Sequence, residues 1–172
     1  MHRNQSQLLR LHMNKAHVIF NLDTNLLNAK QGDEFVNKLE EWHEKELITL
    51  VWSHTAQHEA KNNSKPYLHK KADTHIYTIN EEADDQESNA VKSKNEIFKI
   101  MEIDENSTAN EINDALIVSE AAKYCAILVT NDGASRKQPN GILGRRAELA
   151  NHVRIMNASE AVNYIRSCFG YK

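Results

Sequence analysis

Cysteine is nearly absent, with Cys125 and Cys168 the only two in 172 residues. They lie 43 positions apart and form no CxxC pair. They are therefore read as two reduced, buried thiols in a cytosolic protein. Long hydrophobic runs are missing too. No apolar stretch approaches the length of a membrane span. In Met1–Lys15, Arg10 and His12 interrupt Leu8, Leu9, Leu11 and Met13, so there is no h-region of a secretory signal. The expectation is a cytoplasmic protein, with no membrane partner, whose residues 1–15 form a polar arm before the first strand. A charge excess is also lacking. Lys and Arg number 21 against 24 Asp and Glu, a formal net charge of −3. That argues against a generally adhesive nucleic-acid binder but leaves room for a local basic groove over an acidic site. Internal repeats and low-complexity tracts are absent. Gly141 and Gly144 lack the GxxxxGK[ST] context of a phosphate-cradling loop, and no Ser/His/Asp arrangement stands out.

What is present is ordinary for one globular domain, with 40% hydrophobic and 26% charged residues. That domain is placed at residues 16–172, with residues 61–110 as a longer, polar helical insertion. Apolar runs at Val18–Leu22, Leu47–Trp52, Ala126–Val129 and His152–Met156 read as strands. Between them lie helical patterns. One carries Phe35, Val36, Leu39, Trp42 and His43 after a cap at Asp33. One follows Ser53 or Thr55, with Pro66 at or beyond its end. One spans Glu96–Ile103. One runs from the Asn106–Glu111 cap to Tyr124, and the last covers Ala158–Cys168, capped at Asn157 or Ser159. A short helix is expected around Arg145–Ala150, and Asp73–Asn80 suits a short strand or helix. Glu81–Glu87 reads as a solvated charge run. Alternation of strand and helix implies an α/β fold, a mostly parallel sheet covered on both faces.

The chemistry concentrates where strands end. Ala126–Val129 runs into Thr130, Asn131 and Asp132, and Val18–Leu22 runs into Asp23, Thr24 and Asn25. In open α/β sheets ligands bind outside the carboxyl ends of the strands. Glu59 lies on the helix after the second strand. Asp114 sits among Ile112, Ala115, Leu116 and Val118, where an acid is costly unless it is paired or binds a cation. Taken singly, each acid has a plainer explanation: Asp23 as a turn or cap residue, Glu59 as an exposed helix residue, Asp114 on a wet face beside Asn113 or Glu111.

Taken together, Asp23 in IFNLDTNLL, Glu59 in SHTAQHEA, Asp114 in NEINDALIVSEAAKY and Asp132 in ILVTNDGAS resemble the four acidic motifs of PIN-domain nucleases, the family of VapC-like toxin ribonucleases and RNA-processing endonucleases. The resemblance runs from about Ala16 to Tyr164. It implies a PIN-like three-layer α/β/α domain and a metal-dependent endoribonuclease acting on single-stranded RNA. The choice of RNA comes from the resemblance alone. Mg²⁺ or Mn²⁺, hard ions that choose oxygen ligands, would be held by Asp23, Asp114 and Asp132, with Glu59 holding a second ion or orienting water. Asn25 and Thr130 would fix the carboxylates. Arg136, Lys137 and Arg145, with Arg146 beside them, would meet RNA phosphates. Trp52 and Tyr67 are base-stacking candidates, with core packing the plainer role for Trp52. The resemblance also implies an antitoxin protein as partner, and a homodimer is a candidate assembly.

Other readings stand beside this one. His54 and His58, four apart, have the HxxxH spacing of zinc ligands but no evident third ligand. A non-catalytic RNA- or protein-binding module would keep the fold without the chemistry. An aspartyl phosphotransfer enzyme would want a second Asp two positions after Asp23, where this chain has Asn25.

Overall fold

Ile19–Leu22 form β1, and the other strands are arranged about it. The structure, a computed structural model, describes residues 18–27, 32–62, 77–79, 88–133 and 141–172. The N-terminal arm, Pro66, Tyr67, the charge run, Arg136 and Lys137 lie outside the described residues.

β2 (Thr49–Ser53) and β4 (Ile127–Val129) pair with β1 on either side, β3 (Tyr77–Ile79) with β2, and β5 (Ile155–Met156) with β4. The order is β3-β2-β1-β4-β5, and every pairing is parallel. Chain direction across the sheet therefore reverses beside β1. The gap between the ends of β1 and β4 is the switch point at which such sheets bind ligands.

Strand periodicity sends alternate side chains to opposite faces. Phe20, Leu22, Leu50, Trp52 and Val129 face one layer, where α2 (Glu34–Glu44) buries Val36, Leu39 and Trp42. In the same layer α6 (Ala158–Phe169) buries Ala158, Ala161, Val162 and Ile165. Leu128 and Ile155 face the other layer with Ile97 of α4 (Ser88–Ile100) and Ile117, Val118 and Ala121 of α5 (Ala109–Lys123). Trp52 is buried in the core and takes no part in stacking bases. The one-turn α1 (Thr24–Leu27) follows β1 directly, and α3 (His54–Asn62) follows β2.

Local polar chemistry sets the helix starts. Asp33 Oδ1 accepts from the Phe35 and Val36 amides, and Ser53 Oγ from the Ala56 amide. Thr108 with Glu111, and Asn157 with Glu160, make reciprocal capping boxes. Glu111 thus serves the start of α5. Among the described residues no helix is long and apolar enough to cross a membrane.

Several expectations are corrected. Both cysteines are exposed. Cys125 follows α5 in a left-handed conformation (φ 52°), and Cys168 lies on the exposed side of the last turn of α6. Helix α4 begins at Ser88 rather than near Glu96, and ends at Ile100. In place of a helix over 145–150 there are turns and a single 3₁₀ turn at Leu149–Asn151.

Candidate active site

β1 and β4 deliver their acids side by side. The Asp23 amide donates to the Val129 carbonyl (3.0 Å), continuing the ladder one residue past β1. The Thr130 hydroxyl then ties the two ends together. It donates to Asp23 Oδ2 (2.5 Å) and accepts from the Asp132 amide (2.9 Å). Asn25 completes the tie. Its Nδ2 donates to Asp23 Oδ2 (2.8 Å) and Thr130 Oγ1 (3.1 Å), and its Oδ1 accepts from the Asn131 amide (3.2 Å). Asp23 and Thr130 are both buried. One oxygen of Asp23 is thus committed to neutral donors.

Glu59 reaches the same place from α3. Thr24 Oγ1 donates to its Oε2 (2.6 Å) and Asn113 Nδ2 to its Oε1 (2.6 Å). Both donors sit next in sequence to an acid: Thr24 beside Asp23, Asn113 beside Asp114. Asp114 comes from α5, and the four carboxylates line one crevice of about 630 Å³. Asn62, Asn110 and His58 line it as well.

Burial drives the electrostatics. It raises the Asp23 carboxyl to about 6, against the lowering effect of its Thr130 hydrogen bond, with Asp132 and Glu59 adding repulsion. Burial, then repulsion from Asp23, Asp132, Glu59 and Glu111, raises Asp114 to about 8. Asp114 thus holds its proton at neutral pH chiefly because it is buried, and the neighbouring acids add to the effect.

Every ligand atom that the four acids offer is a carboxylate oxygen, the donor that Mg²⁺ and Mn²⁺ choose over softer ions. By donor chemistry and charge the residues suit such an ion. Among the described residues, however, no group of three or more His, Cys, Asp or Glu stands close enough together to hold a metal ion as placed.

Of the remaining candidates among the described residues, His58 lines the crevice and the others fall outside its lining. His54 and His58 stack with ring centroids 6.3 Å apart, and Asn62 lies 3.0 Å from both ring nitrogens of His58. Arg145, expected at the substrate, is held by the Ile100 carbonyl (2.6 Å) and Glu102 (2.6 Å), outside the residues that line the crevice. Arg146 pairs with Glu160. The hold of Thr24 and Asn113 on Glu59 was not foreseen from the sequence, nor was the contact of the Ile142 amide with Asp132 Oδ2 (2.8 Å). For Thr24 and Asn113 the available signal was a neutral hydrogen-bonding residue adjoining an acid.

No protein-family model and no curated protein matches the chain. Among solved structures it is similar to a chain of VapBC2 from Rickettsia felis, crystallised bound to a DNA fragment from their promoter. The TM-score is 0.51 and the identity 22%, over 81% of this chain and 98% of that chain. The fold is PIN-like. At this identity the likeness is one of architecture: a PIN-like α/β/α sandwich whose switch point, in this chain, carries Asp23 and Asp132.

Proposed function

We propose that this chain is a metal-dependent endoribonuclease that hydrolyses phosphodiester bonds in single-stranded RNA. The observation that carries the reading is the convergence of Asp23, Glu59, Asp114 and Asp132, from four different segments, on one crevice at the switch point of a PIN-like sheet. Mg²⁺ or Mn²⁺, when bound, supplies an activated water and neutralises charge on the scissile phosphate. Asp23, Asp114 and Asp132 are the residues that would hold it. Thr130 and Asn25 keep Asp23 in one orientation, so little reorganisation remains at the moment of reaction. Glu59, gripped by Thr24 and Asn113, has a fixed position from which to orient the attacking water or hold a second ion. Asn25, two residues after Asp23, donates hydrogen bonds and supplies no second acid, which counts against aspartyl phosphotransfer.

Purified protein and labelled single-stranded RNA, with Mg²⁺, Mn²⁺ or EDTA, provide the test. Cleavage with either metal and none with EDTA is expected. Binding without cleavage under every condition would leave a non-catalytic RNA-binding module in its place.

Three further expectations go with this reading. Binding of a divalent ion to the native state stabilises it by mass action. Mn²⁺ should therefore raise the Tm of the native protein, and much less that of Asp23→Asn. Equal shifts would remove Asp23 from the ligand set. Replacing His54 and His58 together by Ala should leave metal-dependent cleavage largely intact; stoichiometric zinc that disappears in that double variant would overturn their exclusion. Arg136 and Lys137 follow Asp132 closely in the chain and are proposed to meet RNA phosphates. Changing both to Ala should weaken RNA binding and make its log–log salt dependence shallower by about one to two units, somewhat under one for each phosphate no longer neutralised. An unchanged slope in a salt series would place the RNA path elsewhere.

The similarity to a VapBC complex supports a protein partner, an antitoxin encoded in a neighbouring gene. We extend the proposal to a cytoplasmic location, a single domain over 16–172 with a polar arm before it, and self-association as a homodimer, which sedimentation would detect.

A further inference from the structure

Asp132 is held at three points. Its amide donates to Thr130 Oγ1 (2.9 Å), its carbonyl accepts from the Leu143 amide (3.0 Å), and its Oδ2 accepts from the Ile142 amide (2.8 Å). Two of these hydrogen bonds come from the backbone that follows Gly141. A Cβ on Gly141 would stand 2.4 Å from Asp132 Oδ2, 2.8 Å from its Cγ and 2.7 Å from the Gly133 nitrogen. Those distances are shorter than real Cβ atoms tolerate. Yet the φ of Gly141 is outside the left-handed region, so the turn itself does not demand glycine. What demands it is the close approach of the Asp132 carboxylate and of the Gly133 backbone nitrogen. Ile142 anchors this backbone from the other side, with its side chain fully buried against the α4–α5 layer.

We propose that Gly141 is a positioning residue: lacking a side chain, it lets the Gly141–Leu143 backbone close on Asp132 and commit one carboxylate oxygen to the Ile142 amide. The other oxygen is thereby the one left for a ligand in the crevice. The glycine thus selects the orientation in which Asp132 presents its charge. Its consequence for metal binding and cleavage rests on the nuclease reading; the clamp itself does not.

The test is a double-mutant cycle between positions 132 and 141, read as Tm without metal or RNA. Gly141→Ala should lower the Tm by about 4–10 °C in the native background, the cost of overpacking in a protein of this size. It should cost as much in Asp132→Asn, whose side chain has the same size, and measurably less in Asp132→Ala, where only the Gly133 nitrogen is left to meet the new Cβ. Gly32→Ala, where a Cβ meets nothing within 4 Å, is the control and should leave the Tm nearly unchanged. Equal losses in all three position-132 backgrounds, or failure to fold in all of them, would overturn the proposal, because the collision would then be with the Gly133 backbone alone. Folding of Gly141→Ala only in the Asp132→Ala background would be the coupling in its extreme form.

Two further measurements on Gly141→Ala read the consequence. Mn²⁺ affinity by calorimetry should fall about tenfold, as when other groups that orient a ligand are removed. In cleavage kcat should drop about a hundredfold while KM for RNA holds, the signature of misplacement rather than weakened binding. Native Mn²⁺ affinity and kcat in this variant would overturn the positioning role. A native protein that neither binds Mn²⁺ nor cuts RNA would sink the nuclease reading and leave the coupling at 132 and 141 to be judged on its own.

Discussion

Asp132→Asn is expected to abolish cleavage while RNA binding holds or tightens. The substitution keeps the size of the side chain and an oxygen for the Ile142 amide, so the clamp and the fold survive. What disappears is one negative charge at the crevice. Charge stabilisation of the reacting phosphate amounts to several kcal/mol, so the cleavage rate should fall about a thousandfold or more. A less acidic crevice repels the RNA backbone less, which is why affinity should not fall. Single-turnover cleavage at saturating RNA, paired with a binding titration, separates the two effects. Native cleavage by Asp132→Asn would defeat the nuclease assignment at its centre.

Asp114→Asn should make the metal-free protein more stable near neutral pH. Asp114 titrates at about 8 and Asp23 at about 6 in the folded protein, against 3.8 for an ordinary Asp. The folded state therefore binds protons that the unfolded chain has released. From these groups, stability is greatest below about pH 4, falls as pH rises, and levels off above pH 8. Each tenfold change in proton affinity corresponds to about 1.4 kcal/mol, and water at the open side of the crevice screens part of that. A gain of about 1–2 kcal/mol at pH 7 is a Tm rise of about 3–8 °C. The same proton must leave when a metal binds. Mn²⁺ affinity of the native protein should thus climb by about one log unit per pH unit between pH 6 and 8, and that climb should flatten in Asp114→Asn. Calorimetry in buffers of different ionisation enthalpy would count the proton. An unchanged apo stability together with a pH-independent Mn²⁺ affinity would show that Asp114 is charged at neutral pH.

Strong periodicity made the main frame legible in the chain. β1, β2, β4, α2, α3, α5 and α6 follow from apolar spacing and from capping signals at Asp33, at Ser53 or Thr55, within Asn106–Glu111, and at Asn157 or Ser159. The shortest elements were less sharply drawn. Tyr77–Ile79 lies within Asp73–Asn80, which suits a strand or a helix, and its pairing with β2 decides for strand. Ser88, Asn89 and Ala90 begin α4 without a large apolar residue to mark the turn. The cysteine expectation failed because residue type alone does not place a thiol: Cys125 falls in the turn after α5 and Cys168 on the exposed side of α6. At the site, strand ends drew attention to Asp23 and Asp132. The grip on Glu59 depends on side chains 35 and 54 positions away and has no local signature. Gly141 resembled any loop glycine until Asp132, nine residues earlier in the chain, gave it a reason.

The sheet order has a consequence for how the protein is made. The tie between Asp23 and Thr130 spans 107 residues, and β1 gains its second neighbour only when β4 arrives. Pairings this remote in sequence form slowly, and they cannot form before the ribosome has delivered both partners. A nascent chain that has emerged only through α5 can pair β1 with β2 yet holds Asp23 without Thr130 or Asp132. The acidic crevice is thus among the last features the polypeptide acquires, and a truncated product ending before residue 127 would carry the carboxylates of Asp23, Glu59 and Asp114 with no second strand end to organise them.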